Sequence, residues 1–413
     1  MSGQNVRKEE GKENAGEEPG DSGVAILFSD FGPYHIARIE ALARAVEHQG
    51  MHLVAVRFKI FSQTYAWRPC TPSSVICETL SGTSLWNRGA IAIVIAWGRL
   101  IVRRGISVAF LPSYWPLPNA LCLVVAKLLR CKCIMMNESW SGTERAKGIS
   151  RLCKRAMLYL FDGALVGGSR HKAHFEALGM RSHLIAKGYD VVDNDFFGAK
   201  SSAIRGAPRP LGFPENYFLS LGRMVPKKNL TCLIKAYAQL VKNQSESVPS
   251  LVLVGDGPER RPLMELAQTL GLQVSECEGV GDPVTQSGPS AVIFFRFAQI
   301  EDTAKFYAWA RAFVLPSLWE EWGLVVNEAM ACGLPVVVSA NCGCSSDLVE
   351  EGVNGFTFDP TDSESLARCL SRYINDPGLT PRQGCESLRI ISDYGPSRFA
   401  EEGLELLKKL RTT

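Results

Sequence analysis

The sequence has no apolar segment long enough to cross a membrane. Its longest apolar run, from Gly89 to Gly98, is about half of the roughly 20 residues that a transmembrane helix requires. Residues 1–22 contain no aromatic side chain and no apolar core of a secretory signal, but they do contain six acidic and three basic residues. We therefore predict a disordered acidic tail at residues 1–22 and a cytoplasmic protein.

The chain also lacks a strong net charge and an ordered cysteine pattern. A formal charge of +3 is too small to indicate a nucleic-acid partner, and the sequence contains no recognised nucleic-acid-binding module. The thirteen cysteines include two C-x-C pairs, at 131–133 and 342–344, but no second pair at the spacing of a zinc site. We predict reduced thiols and no metal centre.

Short apolar strands alternate with helical stretches along the whole chain. This alternation predicts parallel sheets with helices on both faces. The pattern runs through the first half and restarts near Phe218, so we predict two Rossmann-like α/β domains at residues 23–205 and 206–395, with a proline-containing linker near 201–214. The Gly-, Ser- and Pro-rich stretch at 277–289 is predicted to be a surface loop.

The segment PSLWEEWGLVVNEAMACG, residues 316–333, is the most informative stretch. It predicts the end of a buried strand, then a helix from Leu324 to Cys332 that stops at Gly333. Glu320 would then lie at the carboxyl end of the strand, and Glu328 about one turn into the helix. In an open α/β sheet that edge binds ligands, and a helix start offers N–H groups to phosphate. The carboxylates could accept hydrogen bonds from vicinal sugar or ribose hydroxyls.

Two further strand ends carry residues suited to a nucleotide. Arg223 and Lys228 follow the strand FLSLGR and could hold a diphosphate, with Lys227 ranked behind them; solvated loop cations are the alternative. In LVLVGDGPER, Gly255 and Gly257 precede a helix predicted to open at Pro258, and they could let the backbone approach a ligand. A turn that needs positive φ would also explain these glycines.

These motifs resemble those of family 4 glycosyltransferases. The E-x7-E signature matches Glu320 and Glu328, with Gly323 and Leu324 between them, and G-R-x-x-x-x-K matches Arg223 and Lys228. The chain has Glu-Trp where the family usually has Pro-Phe. The resemblance implies the GT-B fold, with two facing Rossmann-like domains, an interdomain cleft and a C-terminal helix at 396–413 that crosses back to the first domain.

The resemblance also implies an activity. It implies a retaining, metal-independent transferase without a cofactor, which moves a sugar from a UDP- or GDP-linked donor to a hydroxyl of a saccharide or lipid-linked saccharide. In the family the first Glu approaches the donor sugar and the second holds the ribose. The implied catalytic residues are Glu320, Arg223 and Lys228, and the implied donor-binding residues are Glu328, Gly32, Gly255, Gly257, Gly323 and Leu324.

The first domain matches the family less closely. Its loop SDFGPYH would face the donor phosphates through Gly32, and we expect His35 to cap the following helix rather than contact an acceptor. Where many relatives have His-Asp, this chain has Asn137 to Trp140, in which Glu138 could replace the His or be a solvated acid. We expect His171, near a helix start, to contact donor or acceptor.

Two other patterns leave alternatives open. Asp193-Asn-Asp195 spells the D-x-D metal motif of another transferase fold, but we assign Asp193 and Phe197 to a turn and to packing. Basic residues could bring the first domain to an anionic membrane, or form a solvated face; they are Arg99, Arg103, Arg104, Arg130, Lys132, Arg145, Lys147, Arg151, Lys154 and Arg155. An epimerase or hydrolase on the same fold, or a non-catalytic sugar-nucleotide-binding protein, are the alternative functions.

Overall fold

A computed structural model describes residues 23–58, 68, 70–80, 88–144, 148–210, 213–244, 248–279 and 290–411. The predicted tail at 1–22 and most of the predicted loop at 277–289 lie outside these residues. The described residues form two α/β domains, each built on a parallel sheet. This confirms the fold class that the alternating pattern predicts.

The first sheet is parallel throughout, with the strand order β3-β2-β1-β4-β5-β6-β7. Helices cover both of its faces, so its central strands can be apolar along their whole length; every residue of β1 is buried. The strands are β1 (Gly23–Phe28), β2 (His52–Phe58), β3 (Ile76–Leu80), β4 (Ile106–Pro112), β5 (Lys132–Asn137), β6 (Gly163–Val166) and β7 (Ile185–Lys187). The helices are α1 (Pro33–Glu47), α2 (Arg88–Arg103), α3 (Leu117–Leu128), α4 (Ile149–Leu158), α5 (Ser169–Ala177) and α6 (Asn194–Arg205).

The second sheet is also parallel, with the order β10-β11-β9-β8-β12-β13-β14. Its strands are β8 (Tyr217–Leu221), β9 (Ser250–Val254), β10 (Val274–Cys277), β11 (Val292–Phe295), β12 (Ala312–Leu315), β13 (Val336–Ser339) and β14 (Gly355–Phe358). The helices are α7 (Leu230–Asn243), α8 (Arg260–Thr269), α9 (Ile300–Ala308), α10 (Leu324–Ala331), α11 (Ser345–Leu348), α12 (Ser363–Asn375), α13 (Leu379–Ile391) and α14 (Pro396–Arg411).

The two sheets turn their carboxyl edges toward each other. Each sheet reverses its strand order at its centre, between β1 and β4 in the first domain and between β8 and β12 in the second. Loops diverge at such a point and leave a crevice where ligands of open α/β sheets bind. The loop after β5 reaches the loop after β12, because the indole Nε1 of Trp140 donates to the backbone oxygen of Glu320 at 2.9 Å. A cleft between the domains follows from this topology.

The chain crosses between the domains twice. Val191 packs in the core of the first domain, and its neighbour Val192 packs in the core of the second. Helix α6, which the sequence places in the first domain, therefore packs against α9 and α10 of the second, with Phe197 fully buried. Helix α14 returns to the first domain, where Phe399 and Leu406 join the core beside α1.

Several boundaries differ from the sequence-based expectations. The predicted linker at 201–214 is helical at its start, because α6 continues to Arg205, whose guanidinium Nη2 donates to the backbone oxygen of Cys332 at 2.8 Å. Helix α8 begins at Arg260 rather than at Pro258, which lies in the preceding turn. The short strands β3, β7, β10 and β14 were not predicted. All thirteen cysteines are free thiols.

Candidate active site in the interdomain cleft

Glu320 is the centre of a buried charge cluster in the second domain. Its side chain follows β12 and is only 6% exposed. One carboxylate oxygen, Oε1, accepts a hydrogen bond from Lys227 Nζ at 2.9 Å. The other, Oε2, accepts from Lys228 Nζ and from Ser317 Oγ, the latter at 3.3 Å. Burial opposes ionisation, but the two ammonium groups outweigh it and lower the pKa of Glu320 to about 2. Glu320 is therefore a carboxylate at neutral pH.

Lys227 contacts Glu320 directly, as Lys228 does. Lys227 Nζ also bonds Glu321 Oε2 at 2.9 Å. Burial would lower the pKa of Lys227, but Glu320 outweighs this and raises it above the usual range. The turn that carries both lysines is held by Asn229, a left-handed residue whose amide donates to the backbone oxygens of Pro316 and Pro360. Lys228 also lines a depression with Arg223, and the ranking of Lys227 behind Lys228 stays a prediction.

Arg223 lies apart from this cluster. Its side chain is exposed, and no carboxylate among the described residues pairs with it. It lines a small depression together with Lys228, Gly222 and the end of β12. An anion that enters the cleft could therefore bind Arg223 without displacing a salt bridge.

Glu328 is more deeply buried than its predicted role suggests. It is 1% exposed on α10, and each of its carboxylate oxygens accepts a hydrogen bond from a tyrosine. Tyr34, from the first domain, donates to Oε1, and Tyr307, from α9, donates to Oε2 at 2.9 Å. Burial raises the pKa of Glu328 to about 7, although both hydroxyl groups favour the carboxylate. The carboxyl of Glu328 is therefore expected to titrate near neutral pH.

Helix α10 presents a bare amino-terminal end to the cleft. Gly323 precedes it with φ of +109°, and a Cβ there would come within 2.8 Å of the Leu315 side chain, so the position requires glycine. No side chain caps the helix at this residue. The buried indole of Trp322 donates to Asn327 Oδ1 at 2.8 Å and fixes the first turn. The helix start with Leu324 at its first position is thus suited to an anion.

Gly255 and Gly257 have a structural reason to be glycine. Their φ values are +139° and +156°. A Cβ at Gly255 would lie 2.1 Å from the backbone oxygen of Gly222, and a Cβ at Gly257 would lie 2.3 Å from that of Met224. The turns after β8 and β9 therefore pack backbone against backbone, as the turn interpretation of this segment expects, and their predicted place in the donor site remains a prediction.

The loop after β1 places Gly32 and His35 together at the start of α1. The Gly32 N–H donates to His35 Nδ1 at 2.9 Å, which confirms that His35 caps the helix. A Cβ at Gly32 would meet no atom closer than 3.6 Å, so packing alone does not require glycine there. The predicted close approach of a phosphate is compatible with this space, but the amide of Gly32 is already engaged.

His171 forms a hydrogen-bonded link between the two domains. It is fully buried, its Nδ1 accepts from the Gly168 N–H at 3.1 Å, and its Nε2 lies 3.0 Å from the backbone oxygen of Glu321. Arg170 donates to the backbone oxygen of Ala340 at 2.7 Å across the same interface. Both ring nitrogens of His171 are therefore used by the protein, and the predicted contact with a substrate would require one of them to be released.

Glu138 lies at the carboxyl end of β5 and keeps a solvent-exposed surface in the cleft. The surrounding protein desolvates it, and the nearby carboxylates of Asp190 and Glu321 repel its charge, so its pKa is raised well above the usual range. Asp190 is buried, 3.8 Å from Arg38, and burial raises its pKa to about 6. Glu138, Asp190 and Glu321 thus form a group of neighbouring carboxyls that disfavour one another's ionised forms.

Asp193 has the turn role assigned from the sequence. Its carboxylate accepts from the N–H of Phe196 at 2.9 Å and caps α6. Phe197 is fully buried against Tyr307. A pocket of about 460 Å³ opens between Tyr34, Asp193, Phe196 and Ile300, next to the tyrosine that bonds Glu328.

Comparison with solved structures decides the fold. The Anabaena protein HepE, solved in complex with UDP, aligns over 94% of this chain and 100% of its own chain with a TM-score of 0.67 at 18% identity. Sucrose-phosphate synthase from Thermosynechococcus elongatus aligns over 95% of this chain and 100% of its own, with a TM-score of 0.68 at 20% identity. The chain has the GT-B fold. At these identities the likeness concerns the fold alone.

Sequence comparison finds similarity in the second domain. The family model described as Glycosyl transferases group 1 matches residues 215–376. Mannosylfructose-phosphate synthase of Agrobacterium fabrum is 30% identical over 218 residues, which cover 51% of this chain and 44% of that protein. The chain thus spans less than half the length of the curated relatives it matches. The matched region contains Arg223, Lys228, Glu320 and Glu328.

Proposed function

We propose that the protein is a retaining glycosyltransferase, which moves a sugar from a UDP- or GDP-linked donor to a hydroxyl of a saccharide or a lipid-linked saccharide. One observation carries the proposal. Glu320, held by two lysines, precedes the uncapped start of α10, and Glu328 lies on that helix eight residues later, in a GT-B fold. Carboxylates, cations and a helix start are the groups that a nucleotide sugar needs.

In this proposal the donor diphosphate binds Arg223, Lys228 and the N–H groups at the start of α10. The diphosphate competes with Glu320 for Lys228, so binding loosens the salt bridge that now neutralises the lysine. Arg223 is free to bind first. Glu328 accepts hydrogen bonds from the ribose hydroxyls after the Tyr34 hydroxyl, which bonds its Oε1 in the structure, moves away, and the pocket beside Tyr34 provides room for the base.

The transfer step breaks the bond between the anomeric carbon and the diphosphate oxygen. The leaving diphosphate takes the electron pair of that bond, and its developing charge is stabilised by the cations and by α10. The acceptor hydroxyl attacks the anomeric carbon from the face that the diphosphate leaves, and its proton passes to the departing phosphate oxygen. Glu320, released from Lys228, orients the sugar hydroxyls. The product keeps the anomeric configuration of the donor.

No metal ion is needed in this scheme, because fixed cations occupy the place where a divalent ion would act. Asp193 caps a helix through one carboxylate oxygen, which makes it a poor candidate for a D-x-D ligand. We expect turnover to persist in excess EDTA. Loss of turnover in EDTA with recovery on added Mn²⁺ would contradict the metal-free scheme.

The first domain supplies the acceptor side through the loop after β5. Glu138 is an exposed polar side chain of this loop, and its carboxyl group can form a hydrogen bond with a sugar or acceptor hydroxyl. This would replace the His that many relatives have at the same place. Trp140 holds the loop in position through its bond to Glu320.

A panel of nucleotide sugars tests the proposal in two stages. The first stage measures thermal stabilisation, because a ligand that binds the native state raises its melting temperature. The second stage measures release of nucleoside diphosphate from the best donor, with and without candidate acceptors. We expect stabilisation by one UDP or GDP sugar and acceptor-dependent release. Release without any acceptor would favour a hydrolase, conversion of the donor sugar without release would favour an epimerase, and stabilisation without turnover would favour a binding protein.

A further inference from the structure

Helices α2 and α3 form a close pair on one face of the first sheet. The α2 residue Gly98 faces α3, and a Cβ there would lie 3.3 Å from a methyl group of Val125 and 3.9 Å from one of Leu129. On their inner side the pair buries Trp97 and Leu123 in the core. On their outer side both helices are open to solvent.

The outer side of each helix carries an apolar stripe. On α2 the stripe contains Ile91, Ile95 and Val102, and on α3 it contains Leu117, Val124 and Leu128. These residues recur at intervals of four, seven and eleven, so each set lies along one face of its helix. Exposure reaches 70% at Val102 and 77% at Leu128. Two adjacent stripes make a continuous apolar surface rather than isolated exposed residues. We call it the α2–α3 face.

The charge around this face is mainly positive. Glu78 pairs with Arg103 and Arg104, and Asp162 pairs with Lys127 and Lys132, so two carboxylates face four of the seven basic residues. Between Glu78 and Glu138 the sequence contains no acidic residue and seven basic ones. Arg99 lies within the α2 stripe and Arg130 follows α3, and neither pairs with a carboxylate among the described residues. The apolar residues thus lie beside the two cations Arg99 and Arg130, whose charge a partner would have to neutralise. The basic residues are Arg88, Arg99, Arg103, Arg104, Lys127, Arg130 and Lys132.

We propose that the α2–α3 face docks on a bilayer that contains anionic lipids. Helices at a membrane surface bury an apolar face at the level of the acyl chains while their Arg and Lys side chains reach the headgroups. None of the helices in the described part of the chain is both long and apolar enough to cross a membrane. The attachment is therefore peripheral.

A second copy of the chain fits the same face poorly. In a two-fold symmetric dimer each patch meets its own copy, so Arg99 and Arg130 would approach the cations of the partner with no acidic residue of α2 or α3 to compensate. Like charges brought together in an apolar interface are strongly unfavourable. An anionic bilayer satisfies both the apolar and the basic parts of the surface.

The edge of the face reaches the mouth of the cleft. Trp115, which is 69% exposed, lies between the carboxyl end of β4 and the start of α3. Strand β5, which carries Glu138 at its end, is the neighbour of β4 in the sheet. A membrane-bound α2–α3 face would hold the acceptor side of the cleft near the lipid headgroups. This orientation, which suits a lipid-linked acceptor, rests on the proposed function, but the docking itself does not.

Flotation of the full chain with vesicles tests the docking without any substrate. We expect binding to vesicles of phosphatidylcholine mixed with phosphatidylglycerol, weak binding to phosphatidylcholine alone, and release at high salt. The double variant Arg99→Gln/Arg130→Gln should weaken binding by roughly thirtyfold, because each basic residue near an anionic surface contributes about 1 kcal/mol. The double variant Ile95→Glu/Leu128→Glu should weaken it at least as much.

Matched variants in the second domain provide the controls. Val353→Glu introduces an acid at an exposed apolar position, and Arg261→Gln removes an exposed cation, so both should bind like the wild type. All variants should keep the melting temperature and the nucleotide response of the wild type. No binding to anionic vesicles, equal loss in the control variants, or a wild-type dimer that the α2–α3 variants dissociate would each overturn the proposal.

Discussion

The titration of Glu328 gives a prediction whose size follows from the structure. With a pKa of about 7, the carboxyl of Glu328 is about 90% ionised at pH 8 and about 10% ionised at pH 6. If the carboxylate accepts the ribose hydroxyls, binding selects the ionised form. The affinity for a nucleotide sugar should therefore fall by about tenfold, or about 1.4 kcal/mol, between pH 8 and pH 6.

The ligand and the variants make the measurement specific. A nucleotide sugar has no phosphate group that titrates in this range, whereas a free nucleoside diphosphate does, so isothermal titration calorimetry should use the donor that stabilises the protein most. Glu328→Gln should bind more weakly at pH 8, by about 1.5 to 3 kcal/mol, and lose the pH dependence. Tyr307→Phe removes a hydroxyl that favours the carboxylate, so its titration midpoint should move upward. The control is Glu364→Gln, which changes an exposed acid far from the site.

Two results would refute this reasoning. Wild-type affinity that stays constant from pH 6 to pH 8 would show that Glu328 does not exchange its proton on binding. The same pH dependence in wild type and Glu328→Gln would assign the titration to another group, such as Asp190 or Glu138. Either result would leave Glu328 as a packing residue that joins α10 to the two tyrosines.

The remaining predictions concern other parts of the chain. Arg223→Ala and Lys228→Ala should each lower the rate of transfer by about two to three orders of magnitude, which is the usual effect of losing a preorganised group at developing charge. Full steady-state activity in both variants would show that these side chains do not stabilise the leaving diphosphate. Glu138→Ala should lower the acceptor-dependent rate more than Glu138→Gln, because the amide keeps a hydrogen-bonding group at this position; an unchanged rate in Glu138→Ala would show that this side chain does not contact the acceptor. Removal of residues 1–22 should leave the melting temperature and the rate nearly unchanged, and a large fall in melting temperature would show that this segment docks on the domains.

Short sequence patterns were enough to predict the backbone elements that carry the candidate site. The spacing of Glu320 and Glu328 around Gly323 gave the strand end, the helix start and the side of the sheet, since each depends on a few adjacent residues. Likewise, a His three residues after Gly32 was enough to predict the helix cap that the structure contains. The alternation of strands and helices was enough for the two parallel sheets.

The partners of these residues could not be predicted in the same way. Tyr34 lies 294 positions from Glu328, and Tyr307 lies on another helix, so no spacing in the sequence connects them. Lys227 was ranked low from the family pattern, yet the turn held by Asn229 brings it to Glu320. Strands β10 and β14 have only four residues each, too few to show a hydrophobic period.

Transfer of a labelled sugar, followed by NMR at the anomeric carbon, tests the central claim most directly. The best nucleotide-sugar donor, labelled with ¹³C in the sugar, is incubated with the protein and an acceptor. The account predicts a glycoside whose anomeric configuration matches that of the donor, formed by the wild type and nearly absent with Glu320→Gln and Lys228→Ala. A product of inverted configuration, or undiminished transfer by both variants, would contradict it.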